Sequence, residues 1–245
     1  MTIREDITTL IKSDELNNEV KEIIGIFLEM IFEEAPIPIK LISGTLNVVT
    51  TLREKLLLSK FRMFIEGVFI NPTDRIKISE LFDCEQDQLE YVQILIKTLD
   101  DVETQEKVTY LINLTRALLI GIIEDKNDYY RMFNCVRTVL EQDLKYLSSN
   151  IESDMLLNNV HVDFLFQAGL MYKSYDSGTI GADVDHYSFT ALAKMLNECA
   201  LNFNEDLGIS PTCIRSLENT SHQGITAGLS YRYTDGELHF NENKL

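Results

Sequence analysis

Apolar residues recur every three or four positions along most of the first 150 residues, the period of an amphipathic helix. In DELNNEVKEIIGIFLEMIFEEA, residues Leu16, Val20, Ile23, Ile24, Phe27, Met30 and Ile31 form one stripe, with Ser13 or Asp14 as N-cap and Pro36 and Pro38 as the stop. Twelve uncharged residues then run from Leu41 to Leu52, too few to cross a bilayer. A second stripe follows through Leu56, Leu57, Phe61, Phe64 and Ile65. Asn71 to Thr73 is a break, after which Thr73 or Asp74 caps a short helix to Phe82. EQDQLEYVQILIKTLDD predicts a long helix. TQEKVTYLINLTRALLIGII predicts another, capped by Thr104, with Lys107 where a capping box would place Glu or Gln. EDKND (124–128) reads as a turn, and YYRMFNCVRTVLEQDLKYL as one amphipathic helix with Phe133, Val136, Leu140, Leu144 and Leu147 on its face. Connections this short favour antiparallel helical neighbours.

The pattern changes after residue 150. Ser153 or Asp154 starts a helix over MLLNNVHVDFLFQAGL, which Gly169 ends in the left-handed conformation before Leu170 and Met171 lead into a strand. SYDSGTIGADVDHYSF carries closely spaced turn signals and fits a hairpin or wing. TALAKMLNECALNF is helical again, and YRY and ELHF flank a TDGE turn as two pairing strands. The fold class expected is therefore mainly α. A helical bundle occupies 1–150, a small winged-helix-like α+β unit 151–204, and an extension with a β-hairpin 205–245.

Charge narrows the functions. The chain carries 39 acids against 22 Lys and Arg, a formal charge of −17, with a mean hydropathy of −0.05. Between Ser148 and Asn204 the only cations are Lys173 and Lys194, against seven acids. Phosphate contacts need cations, so nucleic-acid binding is disfavoured, and with it transcriptional regulation by the winged unit. One stretch runs against the average. From Pro36 to Arg62 five basic residues face a single acid, Glu54. Arg53, Lys55, Lys60, Phe61, Arg62 and Phe64 interleave cations with apolar side chains, a pattern suited to an anionic membrane surface or a protein partner. The competing reading makes them a core helix with a basic flank.

Chemistry-bearing constellations are sparse. Cys84, Cys135, Cys199 and Cys213 are widely spaced, so no zinc site is assigned. MTIREDITTL lacks the apolar core of a signal peptide, and reduced thiols in the cytoplasm are expected. EDKND lacks the Gly and Glu of a calcium loop, and Asp183, Asp185 and His186 read as a solvated turn. No phosphate-binding glycine loop and no nucleophile–histidine pairing occurs. No catalytic, cofactor or metal residue is assigned.

The order of these segments resembles a group of bacterial and prophage proteins of the abortive-infection alpha type. Arg53, Glu54, Leu56, Leu58, Lys60, Phe61, Phe64, Ile65, Glu66 and Gly67 match its first segment. Arg116, Ala117, Leu119, Gly121, Ile122 and Tyr130, with Asp143, Leu144 and Leu147, match its second. Gly169, Leu170, Phe189, Thr190, Leu192 and Leu196 match its third, which departs at Ala193, where the pattern has Gly. The resemblance covers Ala35 to Phe203 and implies a role in the conflict between bacterium and phage. It brings no catalytic residues. The function expected is non-enzymatic phage defence through protein–protein contacts. Membrane-surface action by residues 36–62 is the alternative, and self-association into a homo-oligomer stays open.

Overall fold

The computed structural model describes residues 52–71, 73–174, 185–205, 233–234 and 237–238; the helix expected from residue 14, and most of the uncharged run after it, lie outside them. Helix α1 spans Leu52–Val68, α2 Thr73–Leu81, α3 Glu85–Asp101, α4 Gln105–Leu119, α5 Lys126–Thr138 and α6 Glu141–Asn150. Strand β1 (Leu156–Leu157), helix α7 (Val160–Gln167), strands β2 (Met171–Ser174) and β3 (His186–Phe189) and helix α8 (Ala191–Leu196) follow, and α8 runs into a π-helical turn, Asn197–Leu201. The described part is mainly helical, with one small three-stranded antiparallel sheet in the order β1-β3-β2. The chain divides into two units, Met1–Ser210 and Pro211–Leu245. In the second, β4 (Tyr233–Thr234) pairs antiparallel with β5 (Glu237–Leu238).

Helix α4 is the centre of the first unit. Val108, Leu111, Leu114, Ala117 and Leu118 are all enclosed, and a helix buried on every side needs neighbours all round. Helix α1 packs against it at close range because of Gly67. A Cβ there would come within 2.7 Å of Ile112 Cδ1, so only glycine permits this approach. The sheet unit shares the same core: Asn113 Nδ2 donates to the carbonyl of Ala200 in the π turn at 2.7 Å.

Helix ends follow local chemistry. Thr104 Oγ1 accepts from the Lys107 N–H, as expected. Gly121 (φ 79°) and Gly169 (φ 75°) both terminate helices in the left-handed region. After α7 the Leu170 N–H donates to Leu165 O and the Gly169 N–H to Phe166 O, the paired bonds of a Schellman cap; Ile122 and Gly121 repeat the pattern on Ala117 and Leu118.

Other boundaries differ from expectation. The helix expected from Tyr129 to Leu147 is two helices, broken at Val139 and Leu140, whose backbones are extended. Leu140, placed by periodicity on the apolar face, is 53% exposed at that break. Lys126–Asp128 of the expected turn form the first turn of α5, because the Asp125 carboxylate caps it by accepting the Asn127 N–H. Thr73 and Asp74 lie within α2 rather than capping it. Leu156 and Leu157, expected to be helical, form a strand opposite Tyr187 and His186. Helix α7 starts only at Val160, where Asn159 Oδ1 accepts from the N–H groups of His161 and Val162.

Candidate contact surface

The sequence places its candidate contact on α1, and the fold divides those residues. Phe61 and Phe64 are both 0% exposed, packed in the core with Leu57, Ile65 and Val68. This corrects their assignment to a contact surface: the apolar stripe of α1 is spent against the rest of the bundle. Lys60 is half-buried and donates from Nζ to the carbonyls of Leu99 (3.0 Å) and Val102 (2.6 Å), closing the end of α3. Burial lowers its pKa below the ordinary lysine value, opposed by Asp100, Glu103 and Asp101. Arg53 pairs with Asp100 at 2.5 Å and Arg62 with Glu66 at 2.8 Å. Lys55 is exposed. The basic flank of α1 thus meets a neighbouring helix at Asp100, while Arg62 pairs within α1 itself, with Glu66 one turn along.

A buried ion network lies near the other end of α1. The Arg116 guanidinium, from α4, donates from Nη1 to Val68 O at 2.8 Å and to Asp74 Oδ2 at 2.6 Å. Its Nε and Nη2 fork grips Glu205. Asp74 also accepts the Asn71 N–H at 2.8 Å. Burial alone would lower the Arg116 pKa, but the Glu205 and Asp74 carboxylates outweigh it and hold it above the ordinary value. One arginine therefore ties together the end of α1, the start of α2 and the chain beyond the π turn.

Exposed apolar side chains occur on α1 (Leu52, Leu56), α2 (Ile76) and at Ile70 and Leu140, and on the sheet and α7. The antiparallel register puts Met171, Tyr187 and Phe189 on one face of the sheet, all buried. Leu157, His186, Ser188 and Tyr172 take the opposite face, where Leu157 and Tyr172 are exposed. Helix α7 buries Val162 and Leu165 and leaves Val160 at 59% and Phe164 at 48% exposure. Those two are one turn apart on the same helix face. Asp163 lies beside them, exposed.

A polar clasp fixes α7 in this position. The buried Asp143 carboxylate on α6 accepts from His161 Nδ1 at 2.7 Å. The imidazole stacks on Tyr146 with ring centres 4.9 Å apart, and Asn159 Nδ2 donates to the Tyr146 hydroxyl at 3.0 Å. Phe166 meets Tyr187 edge-on at 5.5 Å. A dyad of this kind can orient a histidine for proton transfer, but the ring's partners among the described residues are Asp143 and Tyr146, neither of them a nucleophile poised for attack. Its evident work is to hold α7 against α6.

Local pattern does not reveal this face. Val160 and Phe164 stand inside an apolar run that reads as a packed helix, and nothing local distinguishes them from Val162 and Leu165. Among the described residues, Asp83, Cys84 and Asp87 bring ligand-type atoms within 4.8 Å of one another. Two of the three are already engaged: Cys84 Sγ caps α3 by accepting the Asp87 N–H, and Asp87 pairs with Lys126 at 3.2 Å. No helix among the described residues is long and apolar enough to cross a membrane. No family model, no curated protein and no solved structure matches the chain.

Proposed function

We propose that this protein acts in the conflict between bacterium and phage without an enzymatic step, by docking another protein on the outer face of α7. The observation that carries the docking is the exposure of Val160 (59%) and Phe164 (48%) on one face of a short, firmly clasped helix. The phage-defence setting rests on the resemblance of residues 35–203 to the abortive-infection alpha type. The unit is winged-helix-like in layout. Strand β1, helix α7, strand β2 and strand β3 follow in order, and β3 lies between the other two. A single helix separates β1 from β2, where a DNA-reading helix-turn-helix carries two. The outward face of α7 offers Val160, Asp163 and Phe164, and no cation. Both points favour a protein partner over DNA. Membrane-surface action by α1 has less support, because Phe61 and Phe64 would have to leave the core.

The test is Val160→Ser with Phe164→Ser, expressed in bacteria challenged with a broad phage panel. Both side chains are exposed, so thermal stability is expected to hold while protection is lost. Full protection by the doubly substituted protein would sink the docking reading. Unchanged infection with the intact protein across the panel would remove the defence setting.

A further inference from the structure

We infer that the outer face of α1 is a docking site for residues 14–35 of the same chain, the acidic amphipathic segment that the sequence predicts as a helix. This surface is separate from the outer face of α7 and does not rest on the docking reading above. Leu52, Lys55, Leu56 and Ser59 are spaced three, one and three residues apart, so one side of α1 carries all four. All four are exposed, Leu52 at 73% and Leu56 at 52%. The core stripe of Leu57, Phe61, Phe64, Ile65 and Val68 takes the opposite side, so covering the outer leucines removes nothing from the core. Three observations select the occupant. Residues 14–35 carry Leu16, Val20, Ile23, Ile24, Phe27, Met30 and Ile31 at helical spacing, an apolar stripe that gains from being covered. Their charge opposes that of the α1 segment: one Lys stands against seven acids, whereas residues 36–62 hold five bases against Glu54. Arg53, Lys60 and Arg62 already engage Asp100, the carbonyls of Leu99 and Val102, and Glu66, while Lys55 stands among the exposed leucines. Finally, only the sixteen residues 36–51 separate the segment from Leu52, a tether of at most about 55 Å that keeps its effective concentration at α1 high. The outer face of α7 suits this segment less, because Asp163 lies beside Val160 and Phe164.

The test uses the full chain and reads amide hydrogen exchange of residues 14–35 by mass spectrometry. A lone helix of this length is marginal in water, so protection there reports a docked segment. In L52S/L56S these amides are expected to exchange about tenfold or more faster than in the parent, while the thermal unfolding midpoint holds, because both leucines are exposed. K55E, which sets like charge against the segment, is expected to speed exchange to a smaller degree. Raised salt should speed exchange in the parent more than in K55E. V160S/F164S leaves the segment's exchange unchanged, which keeps this result apart from the test of the α7 face. Equal protection in L52S/L56S and the parent overturns the inference, since the segment is then covered elsewhere. Exchange at the rate of an unstructured chain in the parent overturns it as well. So does protection that falls on dilution together with a dimer in sedimentation equilibrium that L52S/L56S abolishes, which would make the occupant the segment of a second copy.

Discussion

At Arg116 and Glu141 the fold favours the charged form of the side chain. Arg116 is buried with Asp74, and removing Asp74 leaves the guanidinium only the half-exposed Glu205 as a carboxylate partner and the Asn71 N–H without its acceptor. Asp74→Ala is expected to cost about 3 kcal/mol in urea unfolding. The double variant D74A/R116M should recover part of that loss. Full additivity of D74A and R116M would mean that the two charges do not depend on each other. Glu141 is perturbed at the surface. Hydrogen bonds from Lys145 and Thr104 hold its carboxyl at about 2, against ~4.3 for a free glutamate. A depressed acid contributes stability that is complete above the unfolded value and is lost as pH falls through the folded one. The loss therefore falls between about pH 4.3 and pH 2. Solvent screening keeps the contribution of this exposed pair to stability small. The more direct measurement is the NMR titration of the Glu141 carboxyl, expected near 2; a midpoint at the free-glutamate value would refute the bond to Lys145.

Among the elements, α1 and α4 test the packing. Gly67 costs α1 helical propensity and is kept because Ile112 fills the space a side chain would need. Gly67→Ala should lower stability by about 1–2 kcal/mol despite alanine's better propensity, because overpacking outweighs it. In an Ile112→Ala background the same change should become neutral or favourable. Stability of G67A above the parent in both backgrounds would contradict the contact. Some element boundaries are legible in the sequence and others are not. Thr104 and Gly169 announce their ends because a side-chain acceptor and an αL glycine act locally. The break between α5 and α6 carries no such signal. Thr138, Val139 and Leu140 have neither Gly nor Pro, and periodicity runs through them unbroken. Strand β1 is hidden for a related reason: two leucines form a strand only because β3 offers them a partner.

For the whole molecule, the acidic balance and the burial of the α1 stripe point the same way. Lipid binding by α1 requires Phe61, Phe64 and their neighbours to exchange the core for a bilayer. Flotation with anionic vesicles at low salt, where screening is weakest, is expected to leave the protein behind. Flotation would show that α1 leaves the bundle. Within the first unit the sheet segment does not stand apart, since α7 is clasped to α6 through His161 and Asp143, and the π turn is bonded to α4 through Asn113. That attachment presents Val160 and Phe164 on a rigid support.

Periodicity, caps and charge are properties of the sequence alone. Amphipathic stripes select helices, Thr104 and Gly169 place their ends, and two cations among seven acids in the sheet segment argue against phosphate contacts by composition alone. Which apolar faces are covered is not written there. Phe61 and Phe164 are equally apolar and equally placed for a helix face, yet one is enclosed and the other half-exposed. The difference comes from residues distant in sequence. Helix α4 and its neighbours close over α1, whereas no described element closes over the outer face of α7. Local pattern reports that a side chain can be buried; only the assembled neighbours determine whether it is.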